Sequence, residues 1–309
     1  MSRKLGIIGI GHVGSTVAHQ VVATGLADDL VLIDTNEAKV TADALDFEDA
    51  RANLPYHTNV YVNDYAELKD ADVIISALGK IDLQENKNDD RFAELPFTSK
   101  QVVEVAKKIK ESGFHGILVA ITNPVDVITS IYQQVTGLPK NHVLGTGTLL
   151  DSSRMKRSVA KKLKIDPRSV VGYNLGEHGN SQFTAWSTVR VLGKSIAEIA
   201  SKNHLDLDAI NDEAKHGGFT VFRGKKYTNY GIASAAVRLY SAIVSDAETE
   251  LPVSNYRAEY GSYLSYPAIV GRDGILAQLQ LDLTKEELEK LQVSANFIKD
   301  KYAESMAKE

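Results

Sequence analysis

The chain has 309 residues, enough for about two domains at roughly 150 residues each, and its 43% hydrophobic and 24% charged residues are near the averages of globular proteins. It contains no cysteine, which excludes disulfides, thiolate metal ligands and thiol nucleophiles. Its formal net charge of −5 predicts no nucleic-acid partner. Without a membrane-length apolar run or a secretory pattern, we expect a cytoplasmic protein with no membrane partner.

Strand-like apolar runs alternate with helical segments in the first half of the chain. The runs are Leu5–Ile10, Leu30–Ile33, Thr58–Val62, Val73–Ala77, Ile117–Ile121 and Val143–Gly145. Between the first two, residues 13–23 carry apolar side chains at the three-to-four spacing of a helix. Because the strands are apolar throughout, the alternation predicts an α/β fold, a Rossmann-type doubly wound parallel sheet with helices on both faces.

The composition and the strand–helix alternation change near residues 145–150. This change predicts two domains, 1–146 and 147–309. The second domain is expected to be mixed α+β. Its predicted strands are Trp186–Leu192 and Tyr266–Val270, and its predicted helices are Leu207–Lys215, Tyr230–Ser245 and Lys285–Ala307. The last helix has a capping-box start at Thr284 and Glu287 and one apolar stripe, formed by Leu288, Leu291, Ala295, Ile298 and Tyr302.

A glycine-rich turn joins the first strand to the first helix in the pattern G-x-G-x-x-G. Gly9 allows the tight turn, Gly11 lets a pyrophosphate approach the backbone, and Gly14 lets helix and strand touch. Asp34 ends the next strand, 20 residues beyond Gly14. A carboxylate there accepts hydrogen bonds from an adenosine ribose and repels a 2′-phosphate, so the pattern predicts NAD rather than NADP. The alternative for Asp34 is a solvated strand end or a helix cap.

Four polar segments follow strands, where ligands of open parallel sheets bind. They are residues 79–91, 121–126, 150–154 and 174–180. The first is a long polar loop that carries Arg91. Such loops often act as lids that close over a substrate and exclude water.

Each of the other three segments also has a structural explanation. Asn123 before Pro124 has the pattern of a helix N-cap followed by its first residue. Asp151 and Arg154 are three apart on a helix, the spacing of an exposed ion pair. His178 lies between glycines in a turn, and histidine is the side chain whose ordinary pKa is nearest neutrality.

Taken together and in chain order, these motifs resemble those of the L-lactate/malate dehydrogenase superfamily. The matching segments are residues 9–14, 32–34, 122–126, 147–154 and 176–179. Residues 26–29, 91–95, 111–116 and 180–183 resemble the L-2-hydroxyisocaproate dehydrogenase branch in particular. The resemblance implies an NAD-dependent oxidoreductase with a dinucleotide-binding domain and a substrate domain.

The resemblance also implies roles for individual residues. His178 exchanges a proton with the substrate oxygen, Asp151 orients its imidazole, and Arg91 polarises the C2 carbonyl. Arg154 binds the substrate carboxylate through two hydrogen bonds, which lysine does not reproduce. Asn123 bonds His178 or the substrate oxygen.

Further residues are implied in the two binding sites. The substrate pocket would include Thr228 and Leu83. The cofactor site would include Gly9, Gly11, Val13, Gly14, Asp34, Gly79 and Asn123. No metal is implied, the partner is a small 2-oxoacid or 2-hydroxyacid, and a homotetramer or homodimer is expected.

The front of the polar loop bears on the substrate. Malate dehydrogenases place a second arginine there for the distal carboxylate, whereas this chain has Lys80–Gln84 and no arginine before Arg91. Asp82 would repel a second carboxylate, and Ile81 or Leu83 would favour an apolar tail. We therefore expect medium-sized apolar 2-oxoacids such as 2-ketoisocaproate. The alternatives are a plain L-lactate dehydrogenase, a malate dehydrogenase and a non-catalytic NAD-binding protein.

Overall fold

The computed structural model describes residues 2–79, 92 and 94–307. The strands of the first half are β1 (Lys4–Ile8), β2 (Asp29–Ile33), β3 (Asn59–Val62), β4 (Val73–Ser76), β5 (Ile117–Ala120) and β6 (Val143–Gly145). Those of the second half are β7 (Val170–Val171), β8 (Asn174–Leu175), β9 (Phe183–Thr184), β10 (Arg190–Val191), β11 (Lys194–Ser195), β12 (Thr249–Arg257), β13 (Ser262–Gly271) and β14 (Gly274–Gln278).

The helices alternate with the strands of the first half and then dominate the second. They are α1 (His12–Thr24), α2 (Glu37–Ala50), α3 (Leu95–Glu111), α4 (Val125–Thr136), α5 (Leu149–Leu163), α6 (Ile196–Asn203), α7 (Leu207–Lys225), α8 (Tyr230–Val244) and α9 (Lys285–Met306). Among the residues described, no helix combines the length and the apolar character that crossing a membrane requires.

One large sheet runs through both halves of the chain, in the order β14-β13-β12-β6-β5-β4-β1-β2-β3. The strands β1 to β6 are parallel, and β12 joins β6 antiparallel at the pair Ser254 and Gly145. The expected Rossmann-type sheet is therefore present and is extended by an antiparallel hairpin and a further strand. The division at residues 146 and 147 stays a prediction.

Both faces of this sheet are covered, as its continuously apolar strands require. The core on one face is built with α1, α2 and α8, and the core on the other face with α3, α4 and α9. A third, smaller core lies under α5, α6 and α7, against the three-stranded sheet β11-β10-β7. Because β1 to β6 are parallel, their carboxyl ends all lie at one edge of the sheet, and the loops that carry polar side chains meet there.

The glycine turn fixes how closely α1 approaches the sheet. Gly9 has a φ of +92°, and a Cβ atom on Gly14 would lie 1.9 Å from the carbonyl oxygen of Gly9. The positive φ ends β1 at Ile8, two residues before the end predicted from the apolar run. Only glycine fits Gly14, because the helix starts in contact with the turn that precedes it.

Some predicted elements of the second half differ from the structure. The predicted strand Trp186–Leu192 is wrong over most of its length, since residues 186–188 form a 3-10 turn and only Arg190–Val191 is a strand. The carboxylate of Glu287 accepts hydrogen bonds from the backbone N–H and hydroxyl of Ser187, which fixes the turn. In the α9 stripe, Leu288 is 46% exposed, although the capping box at Thr284 is present.

The helix that begins at Leu207 continues ten residues beyond its predicted end at Lys215, to Lys225. Gly217 and Gly218 lower the intrinsic helix propensity there. They also let α7 approach α5, since a Cβ atom on Gly218 would lie 3.3 Å from the Arg154 guanidinium. Packing between the two helices therefore outweighs the local preference.

We expect Gly14→Ala to lower the free energy of unfolding by about 1–3 kcal/mol, because the new methyl group overlaps the Gly9 carbonyl and forces the helix to shift. Urea unfolding followed by circular dichroism measures this. Gly224→Ala is the matched control, because its Cβ meets nothing within 4 Å and its helical position favours alanine. Equal stabilities of the Gly14→Ala variant and the wild type would contradict the close contact.

Candidate active site

The glycine turn and the acid after β2 are linked directly. The Asp34 carboxylate accepts a hydrogen bond from the backbone N–H of Ile10 at 2.6 Å and a second from Asn36 at 2.8 Å. Asp34 does not cap α2, because Asn36 occupies the cap and accepts from Lys39. A carboxylate has about four acceptor positions, so both bonds leave capacity for a ribose hydroxyl.

His178 is fixed by an acid on α5. Its Nδ1 lies 2.5 Å from Oδ2 of Asp151, which is only 4% exposed. The other oxygen of Asp151 accepts a hydrogen bond from Nη1 of Arg154 at 2.8 Å. Imidazole, carboxylate and guanidinium therefore form one connected group, and the exposed ion pair considered for Asp151 and Arg154 is wrong because the carboxylate is buried.

The loop that carries His178 is held at three successive residues. Gly176 exchanges two backbone hydrogen bonds with Ser265 on β13, each 3.0 Å long. The backbone N–H of Glu177 donates to the Ser294 hydroxyl on α9 at 2.6 Å. The backbone N–H of His178 donates to the Asp126 carboxylate at 2.8 Å.

Asn123 does not cap the helix that follows it. The helix begins at Val125 and its cap position is Pro124, without a side-chain cap bond. Oδ1 of Asn123 and Oγ1 of Thr122 are buried at the end of β5 and have no hydrogen-bond partner within the described part of the chain. The capping explanation is therefore wrong, and both polar atoms remain available to a bound molecule.

Two contacts join the glycine turn and α1 to the second half of the chain. The rings of His12 and Tyr227 stack with centroids 3.6 Å apart and planes 4° from parallel. Asn229 donates a hydrogen bond to the hydroxyl of Thr16 on α1 at 3.0 Å. These contacts place Thr228 at the wall of the same cavity that Gly11 lines.

One cavity of about 300 Å³ collects most of these residues beyond the strand ends. The predicted site residues that line it are Gly11, Val13, Gly79, Asn123, Arg154, His178 and Thr228. Asp151 lies behind His178, and Gly9, Gly14 and Asp34 shape the turn below. Arg91 and Leu83 lie outside the described residues, so their assignments stay predictions.

Several lining residues were not singled out from the sequence. They are Thr122, Glu177, Gly218, Phe219, Phe222 and Tyr227. The Gly-Gly pair at 217–218 inside an otherwise amphipathic helix was a usable signal of close approach. Glu177 and Thr122 lie within the segments that resemble the family, but only the fold shows that one oxygen of each is buried without a partner in the described ranges.

The cavity fits a dinucleotide. A Cβ atom on Gly11 would meet nothing within 4 Å, so there is open space beside the start of α1, where the helix dipole favours an anion. Thr122 and Asn123 line the same cavity as His178, and each has a polar atom without a partner among the described residues. A pyrophosphate at the first position and a nicotinamide ring near the second account for both features.

Comparisons with known proteins agree with this geometry. Residues 3–145 match the NAD binding domain of the lactate/malate dehydrogenase family, and residues 148–309 match its alpha/beta C-terminal domain. L-lactate dehydrogenase 1 of Bifidobacterium longum is 38% identical over 306 residues, covering 96% of each chain. L-lactate dehydrogenase 3 of Bacillus anthracis is 37% identical over 308 residues, covering 97% of this chain and 96% of the relative.

The solved structures agree as well. The minor L-lactate dehydrogenase of Enterococcus mundtii, in its ligand-bound form, superposes with a TM-score of 0.92 at 35% identity and 98% coverage of each chain. A lactate dehydrogenase from a deep-sea metagenome library gives a TM-score of 0.91 at 30% identity. This chain is therefore a member of the lactate/malate dehydrogenase family, an NAD-dependent oxidoreductase that acts on the CH–OH group of its substrate.

Proposed function

We propose that this chain is an L-lactate dehydrogenase, which interconverts pyruvate and L-lactate. The observation that carries the proposal is the connected group of His178, Asp151 and Arg154 at one cavity. A 2-oxoacid needs a proton donor for its ketone and a cation for its carboxylate, and this group supplies both. The names of the relatives support pyruvate as the substrate.

His178 exchanges the proton in the proposed reaction. Asp151 holds Nδ1, so the proton that reaches the substrate oxygen leaves from Nε2. The Asp151 carboxylate also stabilises the positive charge that the imidazole carries before the transfer. When bound, NADH supplies the hydride that adds to C2. The balanced reaction consumes one 2-oxoacid, one NADH and one proton and yields the 2-hydroxyacid and NAD⁺.

Arg154 orients the substrate. One of its guanidinium nitrogens is bonded to Asp151, and the side chain, 17% exposed, also lines the cavity. A planar guanidinium binds a carboxylate through two parallel hydrogen bonds, which fixes C2 relative to His178. The remaining role, polarising the C2 carbonyl, is assigned to Arg91 on the sequence resemblance alone.

A second candidate keeps the same chemistry with larger substrates such as 2-ketoisocaproate. It is favoured by apolar side chains that line the cavity, namely Phe219 and Phe222 of α7 and Ile232 of α8. The resemblance to the hydroxyisocaproate branch points the same way. The names of the relatives favour pyruvate over this candidate.

We also propose that the chain assembles as a homodimer or homotetramer, as the family resemblance implies. Large apolar side chains on the outer faces of two helices support this. Leu45 on α2 is 59% exposed and Tyr230 at the start of α8 is 68% exposed. Association would remove such side chains from water.

A panel of 2-oxoacids at one pH decides the substrate. We expect kcat/KM, followed as loss of NADH absorbance, to be highest for pyruvate, because each extra methylene that a pocket cannot accept costs about 1–3 kcal/mol. A higher value for 2-ketoisocaproate would establish the second candidate instead. A preference for oxaloacetate would overturn both.

Replacing Arg154 by lysine tests carboxylate binding. We expect kcat/KM for the 2-oxoacid to fall about 10- to 100-fold, mainly through KM, because a hydrogen bond to a charged group contributes about 1.5–3 kcal/mol and lysine loses one of the two. The control is Arg157→Lys, which changes an exposed arginine one turn later on the same helix. Equal effects of the two substitutions would contradict the assignment.

Replacing His178 by alanine tests the proton donor. We expect kcat to fall by about 10²- to 10⁴-fold, the usual contribution of general acid catalysis, while the dissociation constant of NADH stays within twofold. His115→Ala, at an exposed position after α3, serves as the control. The role assigned to His178 does not survive if its variant retains wild-type kcat.

A further inference from the structure

Asp126 is a buried acid that takes no part in the steps above. It is the second residue of α4 and is 1% exposed. Its Oδ2 accepts the hydrogen bond from the backbone N–H of His178 at 2.8 Å, and its Oδ1 lies 3.5 Å from the Ser265 hydroxyl on β13. The carboxylate therefore touches the backbone of the residue that carries the imidazole.

A hydrogen bond alone does not explain why this position holds an acid. An asparagine amide has the same shape, and its carbonyl oxygen would accept from the His178 N–H equally well. A buried carboxylate also loses its hydration, which costs several kcal/mol in typical proteins and is tolerated where a cation or strong hydrogen bonds offset it. The N-terminus of α4 offsets part of this cost, and the groups around the carboxylate show what else its charge acts on.

Charged and polar groups reach this region from several elements. Those around Asp126 and His178 are Asp151 and Arg154 from α5, Glu177 on the same loop, Glu94 ahead of α3, and the hydroxyls of Ser254 on β12, Ser265 on β13 and Ser294 on α9. Arg154 is paired with Asp151. Glu177 repels Asp126, whereas the imidazole of His178 attracts it.

The balance of these effects keeps Asp126 ionised at neutral pH. Burial raises the pKa of Asp126 to about 6, and the Glu177 carboxylate acts in the same direction. The Ser254 hydroxyl acts in the opposite direction, as do the backbone N–H and the imidazole of His178. Above about pH 6 the carboxylate is therefore mostly charged.

We propose that Asp126 is a positioning residue whose negative charge, together with that of Asp151, stabilises the protonated imidazole of His178. Two carboxylates then act on one imidazole. Asp151 contacts Nδ1 directly, and Asp126, which is bonded to the backbone N–H of the same residue, attracts the charged ring electrostatically. Reduction of the 2-oxoacid starts from the protonated imidazole, so Asp126 extends reduction toward higher pH. The inference rests on the proposed function, which assigns the proton transfer to His178.

The substitution Asp126→Asn removes the charge and keeps the hydrogen-bond acceptor. We expect the basic limb of the pH profile of kcat/KM for 2-oxoacid reduction to move down by about one pH unit, because loss of a nearby negative charge lowers the pKa of the imidazole. Ser265→Ala is the matched control, since it removes the hydroxyl and keeps the charge, and its limb stays at the wild-type pH. A lower rate for Asp126→Asn with an unmoved limb overturns the proposal.

A titration of the wild-type protein gives an answer without a variant or a substrate. We expect the imidazole ¹⁵N resonance of His178, in histidine-labelled protein, to titrate with a midpoint above the ordinary value of about 6.5, because two carboxylates stabilise the charged ring. A midpoint no higher than about 6.5 overturns the proposal, including the case in which Asp126→Asn does not fold. Failure of the proposed function is distinguishable, because an enzyme inert toward every 2-oxoacid would leave this titration unchanged.

Discussion

The candidate site depends on the backbone of one short loop, which is fixed at three consecutive residues. Gly176 is bound by β13, Glu177 by α9 and His178 by α4. Each partner is a different element, so the loop can neither slide nor rotate without breaking hydrogen bonds to buried groups. The Nδ1 contact to Asp151 then sets only the direction of the imidazole, because the position of its backbone is already determined.

This arrangement explains why the active-site geometry depends on elements from the second half of the chain. The strand β13 belongs to the antiparallel extension of the main sheet, and α9 packs on the same face of that sheet as α4. The glycine turn is tied to the second half separately, through the stacked rings of His12 and Tyr227. The two sides of the cavity are therefore held by contacts that are distant in sequence.

Local patterns sufficed to predict the first half. The six parallel strands and the turn at Gly9 follow from runs of apolar residues and from backbone angles that only glycine adopts readily. The residues that the sequence could not assign depend on distant partners. Asp126 acquires its role from the His178 backbone, and the 3-10 turn at Trp186 from Glu287, a hundred residues after Ser187. The same holds for Gly218, whose place inside α7 is set by Arg154 on another helix.

The join between β6 and β12 has a consequence for how the protein can be divided. Gly145 leaves room for Ser254, whose Cβ would lie 2.9 Å from a Cβ on the glycine. A fragment that stopped after β6 would expose the apolar strand Val143–Gly145 as an unpaired sheet edge. Such edges recruit strands from neighbouring molecules, so the nucleotide-binding half expressed alone would tend to aggregate, and any split or fusion of this enzyme is better placed in an outer loop than at residue 146.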